Sequence, residues 1–157
     1  MKKPARIRIA EINDYTSCLP LFETLYHGDI GPDFRQAFED YVNREEGLIL
    51  LAECPNKVIG VLVGSYHLDI DWEGKTAKVD ALVVHEAHRK KGIGKKLLRH
   101  FITVSRGEHC KAVKSRINRG NIIAQELHRS LGFTEAKTCE YFLDFETTSE
   151  NQAGATI

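Results

Sequence analysis

From Val83 to Leu98 the chain reads VVHEAHRKKGIGKKLL, which puts two glycines and a cluster of cations where an apolar strand gives way to an amphipathic helix. Such a turn can hold an anion. The first four amides of a helix have no internal partner and lie at the positive end of its dipole, so together they bind phosphate oxygens. Gly92 and Gly94 carry no Cβ, which lets the backbone approach a diphosphate closely and adopt angles closed to other residues. With Arg89 the spacing is RxxGxG, which is neither the GxxxxGK-Ser/Thr phosphate loop nor the dinucleotide GxGxxG. Spacing alone leaves a second reading open, an ordinary strand-to-helix turn with solvated cations.

Other reactive residues give weaker signals. His85 and His88 form HxxH, a poor metal spacing on a loop, and solvated histidines are the simpler reading, so no metal is expected. Cys18, Cys54, Cys110 and Cys139 are far apart and make no CxxC pair, which indicates neither a zinc site nor a secreted disulfide framework. Reduced thiols in a cytoplasmic protein are the expectation. The 22 basic and 22 acidic side chains cancel, removing the long-range positive field on which nucleic-acid or anionic-membrane binding relies. The N-terminal MKKPARIRIAEIND turns to charge alternation where a signal peptide needs an apolar run, and no segment approaches the ~18 consecutive apolar residues of a membrane span.

The elements that must position the turn can be read from periodicity. A chain of 157 residues suits one domain. Ala5 to Ala10 alternates as a strand; Asn13 or Asp14 caps a helix burying Leu19, Phe22, Leu25 and Tyr26; Gly28 to Pro32 is a turn; and Phe34, Phe38, Tyr41 and Val42 mark a second helix. Leu48 to Ala52 and Val58 to Tyr66 flank a turn as a hairpin, His67 to Lys75 reads as a polar connection, and Thr76 to Val84 is a fourth strand whose ALVV run implies burial on both faces. The third helix starts near Gly92 and buries Ile93, Leu97, Leu98, Phe101 and Ile102. Ala112 to Ile117 is a fifth strand, and Asn121 caps a fourth helix that buries Ile123, Ala124, Leu127 and Leu131 and stops at Gly132. Tyr141 to Phe145 is a closing strand, with room for a short one after Phe133, while residues 147–157 read as a disordered tail. The result is an α/β fold with a mixed sheet of six or seven strands and four helices, strands four and five being parallel through a right-handed crossover.

DALVV followed by HEAHRKKGIGKKLL resembles the acyl-CoA signature of the GNAT superfamily of N-acetyltransferases, and NIIAQELHRSLGF resembles that family's second motif, Asn-x-x-Ala-x-x-apolar-Tyr and a Gly-Phe ending. The resemblance runs from about Arg6 to Phe145 and implies one such domain over residues 1–146, with acetyl-CoA as co-substrate. Carried over by position, the backbone of Leu82, Val83 and Val84 pairs with the pantetheine arm beside splayed strands four and five; Arg89, Lys90, Lys91, Gly92, Ile93, Gly94 and Lys95 hold the diphosphate; and Leu82 or Val83 polarises the thioester carbonyl.

The same carry-over assigns Asp80 as the base, with Glu86 and His85 as alternatives, or else as a buried carboxylate hydrogen-bonded across the sheet. His128 stands where relatives carry the general-acid Tyr, and is either a proton donor to sulfur or a half-buried helix histidine. Asn121 contacts the cofactor, bridges the splayed strands or simply caps its helix, and Asn118 is secondary to it. Acceptor specificity is sought among Tyr26, His27, Asp29, Tyr66, Asp69, Asp71 and Trp72. The implied activity is transfer of an acetyl group from acetyl-CoA to a primary amine of a small molecule or peptide by direct attack; the alternative is a non-catalytic acyl-CoA-binding or sensing module. Homodimers are common among such relatives.

Overall fold

The structure is a computed structural model that describes residues 4–145. Its elements are β1 (Arg6–Ile9), a 3-10 turn (Ile12–Asp14), α1 (Tyr15–Leu25), α2 (Phe34–Asn43), β2 (Gly47–Cys54), β3 (Lys57–Asp69), β4 (Gly74–Val84), a second 3-10 turn (Glu86–His88), α3 (Ile93–Gly107), β5 (Val113–Ser115) and α4 (Ile122–Arg129). The strands lie in one sheet in the order β1-β2-β3-β4-β5, antiparallel except for the parallel β4–β5 pair. That parallel pair is what the strand–helix–strand connection through α3 requires.

Period-two alternation divides the sheet between two cores. Leu50, Leu62 and Leu82 pack with Leu97, Leu98 and Phe101 of α3, while Ile49, Leu51, Val61 and Val83 pack with Cys18, Leu21, Phe22 and Leu25 of α1 and Phe38 of α2. Ala81 to Val84 are all buried because successive residues feed opposite cores, as ALVV implied. Burial also pushes the Cys18 thiol up to about 12.

Several expectations need correction. The sheet has five strands among the described residues rather than six or seven: the segment after Phe133 forms no strand, and Tyr141, Phe142, Leu143 and Phe145 are exposed. A strand exists only as part of a ladder, and β5, the edge nearest in sequence, offers just three residues. The expected connection from His67 to Lys75 is mostly ladder, with His67, Leu68 and Asp69 pairing with Thr76, Lys75 and Gly74. In α1 the buried stripe runs through Cys18 and Leu21 rather than Leu19, and Asp14, which immediately precedes the helix, turns its side chain back to accept from Glu11 N and Arg8, each at 2.7 Å, rather than from the α1 amides. In α4 Ile123 is 68% exposed, so the buried face is Ala124 and His128. The expected tail lies outside the described residues.

Candidate active site

The glycine turn enters α3 through two left-handed residues, Lys90 (φ 57°) and Gly92 (φ 78°), of which Gly92 immediately precedes the helix. A Cβ at Gly92 would meet nothing within 4 Å, so the space beside that backbone is open. The helical ladder begins where Lys96 N donates to Gly92 O (2.9 Å), which leaves the amides of Ile93, Gly94 and Lys95 as the first-turn donors. Gly94 packs differently, since a Cβ there would lie 3.5 Å from Leu127 and 3.7 Å from Val84. Arg89 Nε donates to Val84 O (3.0 Å) and Lys91 Nζ to Ala87 O (2.7 Å), so these side chains brace the turn. His85 Nδ1 accepts from Ala87 N and its ring stands edge-on to that of His88. Among the described residues no three His, Cys, Asp or Glu side chains form a metal-binding group.

Next to this turn lies an open strand edge. Pairing of β4 with β5 covers only Ala77, Lys78 and Val79, so β4 continues to Val84 without a β5 partner. His85 N donates to Ile59 O (2.8 Å), which sets the phase of the β3–β4 ladder. By alternation Val83 turns its backbone toward β3, whereas Leu82 and Val84 turn theirs toward the free edge. Of the three backbone positions taken from the resemblance, two therefore face the gap and Val83 does not.

The ladder slips just where β5 ends. Val63 and Gly64 face Ala81 and Val79, leaving Asp80 as the extra, bulged residue of β4. The bulge directs Asp80 into a cavity of about 100 Å³ between the sheet and α1–α2, walled by Phe22, Tyr26, Phe34, Phe38, Tyr41 and Val63. Asp80 Oδ2 accepts from Tyr41 Oη (3.0 Å) and Ser65 Oγ (2.5 Å), and Lys78 Nζ lies 3.4 Å from Oδ1. The Ser65 hydroxyl also meets His67 Nε2 at 2.8 Å. Burial raises the Tyr41 phenol, and the Asp80 charge raises it further. Sequence reasoning singled out Asp80 but missed Tyr41, Ser65, His67 and Lys78. The available signal was Ser65, the one small polar side chain in the buried run VIGVLVGSY.

On α4, His128 is 3% exposed. Its Nδ1 lies 2.7 Å from Ala124 O; a carbonyl only accepts, so Nδ1 carries a proton, and Nε2 has no partner among the described residues. Desolvation holds the imidazole below its usual value, and the ring stands edge-on to Phe133 at 4.9 Å. Asn121 Oδ1 accepts from Ala124 N (3.1 Å), which is the helix cap.

The candidate acceptor residues do not assemble in one place. Tyr26 lines the Asp80 cavity, with His27 (φ 54°) and Asp29 following at the end of α1. Tyr66 faces the other core and stacks on Phe101. Asp69, Asp71 and Trp72 sit at the β3–β4 tip, about 20 Å along the strand from Asp80, and Asp69 is paired with Lys114.

Comparisons with known proteins bear on the family and the fold. A profile described as the Acetyltransferase (GNAT) family matches residues 13–133. The chain is 27% identical over 110 residues, 68% of its length and 76% of the relative's, to aminoglycoside N(6')-acetyltransferase type 1 of Acinetobacter haemolyticus. The crystal structure of the apo aminoglycoside antibiotic 6'-N-acetyltransferase AAC(6')-IG from the same organism superposes with TM-score 0.77 at 24% identity, covering 88% of this chain and 97% of that one. AAC(6')-Iy in complex with a bisubstrate analogue, CoA-S-monomethyl-acetylneamine, superposes with TM-score 0.81 at 19% identity over 90% of this chain and 99% of that one, a likeness of fold. A glycine turn opening α3, an open β4 edge and a profile match over most of the described residues lead to one assignment: this chain belongs to the acetyltransferase (GNAT) family.

Proposed function

We propose that the chain is an acetyl-CoA-dependent N-acetyltransferase that acts on a primary amine of a small molecule or peptide by direct attack. The observation that carries this reading is the β4 bulge: Asp80 faces an aromatic cavity at the point where β4 parts from β5, and the open edge beyond it runs to the α3 amides. The residues fit a diphosphate-bearing thioester, because Gly92 leaves its flank clear and three first-turn amides converge there. Acetyl-CoA bound in this way supplies an acyl group activated as a thioester. Leu82 and Val84 hold its arm through their edge-facing backbone groups, with Leu82 N–H directed at the acyl oxygen. Arg89 and Lys91 brace the turn by their side chains, Lys90 shapes it by its left-handed backbone, and Asn121 supports the site as the cap of α4.

Asp80 takes the proton that an incoming ammonium must lose before its nitrogen can attack. The amine enters through the cavity lined by Tyr26, Phe34 and Tyr41, aromatic rings whose faces attract a cation. Aminoglycoside relatives support a small-molecule amine as acceptor. His128 helps the thiolate depart only as the imidazolium, since its neutral form keeps Nδ1–H on Ala124 O and leaves Nε2 an acceptor.

That last observation favours a second reading, a non-catalytic acyl-CoA-binding module. Mixing the protein with acetyl-CoA and an amine panel (an aminoglycoside, a lysyl peptide and n-butylamine) separates the two. Free CoA thiol appears if the chain is an enzyme, CoA binding without thiol identifies the module, and absence of both refutes each reading.

A further inference from the structure

We infer that Ser65 and His67 form a proton exit from Asp80 to solvent, an inference that rests on Asp80 acting as the base. The stoichiometry demands an exit. Converting an ammonium to an amide removes two protons from nitrogen while the C–N bond forms and the C–S bond breaks; the departing thiolate takes up one, so one proton leaves the site in each turnover. Asp80 has a part-buried side chain, and Tyr41, Ser65 and Lys78 surround it. Tyr41 is held protonated by burial and by the Asp80 charge, and Tyr26 is likewise raised, so neither takes up the proton. Lys78, an ammonium 3.4 Å from Oδ1, cannot accept one.

Ser65 provides the remaining route. Its Oγ is 2.5 Å from Asp80 Oδ2 and 2.8 Å from His67 Nε2, so one buried hydroxyl joins the carboxylate to an exposed imidazole. At rest Ser65 donates to the carboxylate and accepts from His67 Nε2–H. Once Asp80 is protonated, its Oδ2–H donates to Ser65 Oγ; the exposed His67 ring exchanges with water, losing the Nε2 proton and gaining one on Nδ1, and the Ser65 hydroxyl turns its hydrogen toward the freed Nε2. A shift along both bonds leaves Asp80 ionised and His67 as imidazolium, which gives Nδ1–H to water and restores the resting state. The β4 bulge and the two-residue period of β3 place the three groups in line: Ser65 and His67 lie on one face of β3, and the extra residue brings Asp80 onto it. Ser65 and His67 act through Asp80 and are positioning residues.

Nitrogen-detected NMR of the His67 ring tests the coupling without any substrate. In the wild type the neutral ring carries its proton on Nε2, where Ser65 Oγ accepts it, and the Nδ1–H tautomer gains population in Asp80→Asn and in Ser65→Ala, where the link to the anion is lost. Identical tautomer populations in all three proteins overturn the proposal. The kinetic test uses the panel amine that the wild type acetylates fastest. His67→Ala lowers kcat on the order of tenfold while the KM for acetyl-CoA is unchanged, and added imidazole restores the rate. Full activity of His67→Ala with no response to imidazole, alongside an inactive Asp80→Asn, rejects the exit but keeps the base; full activity of Asp80→Asn rejects the base itself.

Discussion

Asp80 faces the cavity because β4 carries one residue more than β3 across the Val63–Gly64 step; without the bulge the pleat would turn that side chain into the α3 core. Replacing Asp80 by Asn should lower kcat/KM roughly 100-fold with little change in melting temperature, measured by thiol release and thermal unfolding. His128 makes a separate prediction about stability. Its folded-state midpoint is lowered, so it is neutral in both states well above about pH 6.5, and as pH falls the unfolded chain takes up the proton first. Urea unfolding should therefore show the wild type losing more stability between about pH 7.5 and pH 5.5 than His128→Gln does. At this scale the sequence was partly legible. Family spacing pointed to Asp80 and His128, but hydrogen-bond partners 15 and 39 residues away in sequence, Ser65 and Tyr41, follow from strand register and helix docking, which local pattern does not encode.

At the level of elements, α3 was the most readable because its apolar stripe and opening glycines agree, and the structure buries Leu97, Leu98 and Phe101 as that stripe requires. Its contact with β3 leaves no room at Gly64, where a Cβ would stand 2.3 Å from the Phe101 ring. Gly64→Ala should cost about 1–3 kcal/mol by denaturant unfolding, and pairing it with Phe101→Leu should cost less than the sum of the two single changes. Gly92 differs in kind, since its Cβ would meet nothing but its φ is left-handed, so Gly92→Ala should cost about 1–2 kcal/mol through backbone strain and weaken CoA binding. The closing strand was misread because YFLDF carries strand-forming residues while the β5 edge is only three residues long, and a propensity without a ladder leaves the segment exposed. Ile123 was misassigned for a related reason: helical spacing gives a stripe, but only packing decides which side of it is covered.

For the whole molecule, balanced charge and a sheet filled from both faces describe a scaffold in which the turn, the open β4 edge and the Asp80 cavity lie together at one end of β4. A ligand that binds only the folded state stabilises it, so CoA at 100 times its Kd should add about 2.7 kcal/mol and raise the melting temperature by roughly 5–10 °C. Fold class and the location of the turn were legible because two local motifs and the element order agree; the Asp80 cavity was not, because it exists only between α1, α2 and the bulge. The most direct test of the central claim is a crystal structure of the protein grown with CoA. The diphosphate should lie within hydrogen-bonding distance of the amides of Ile93, Gly94 and Lys95, with the pantetheine arm along Leu82 and Val84. A turn filled by its own side chains, or CoA bound elsewhere, would contradict it.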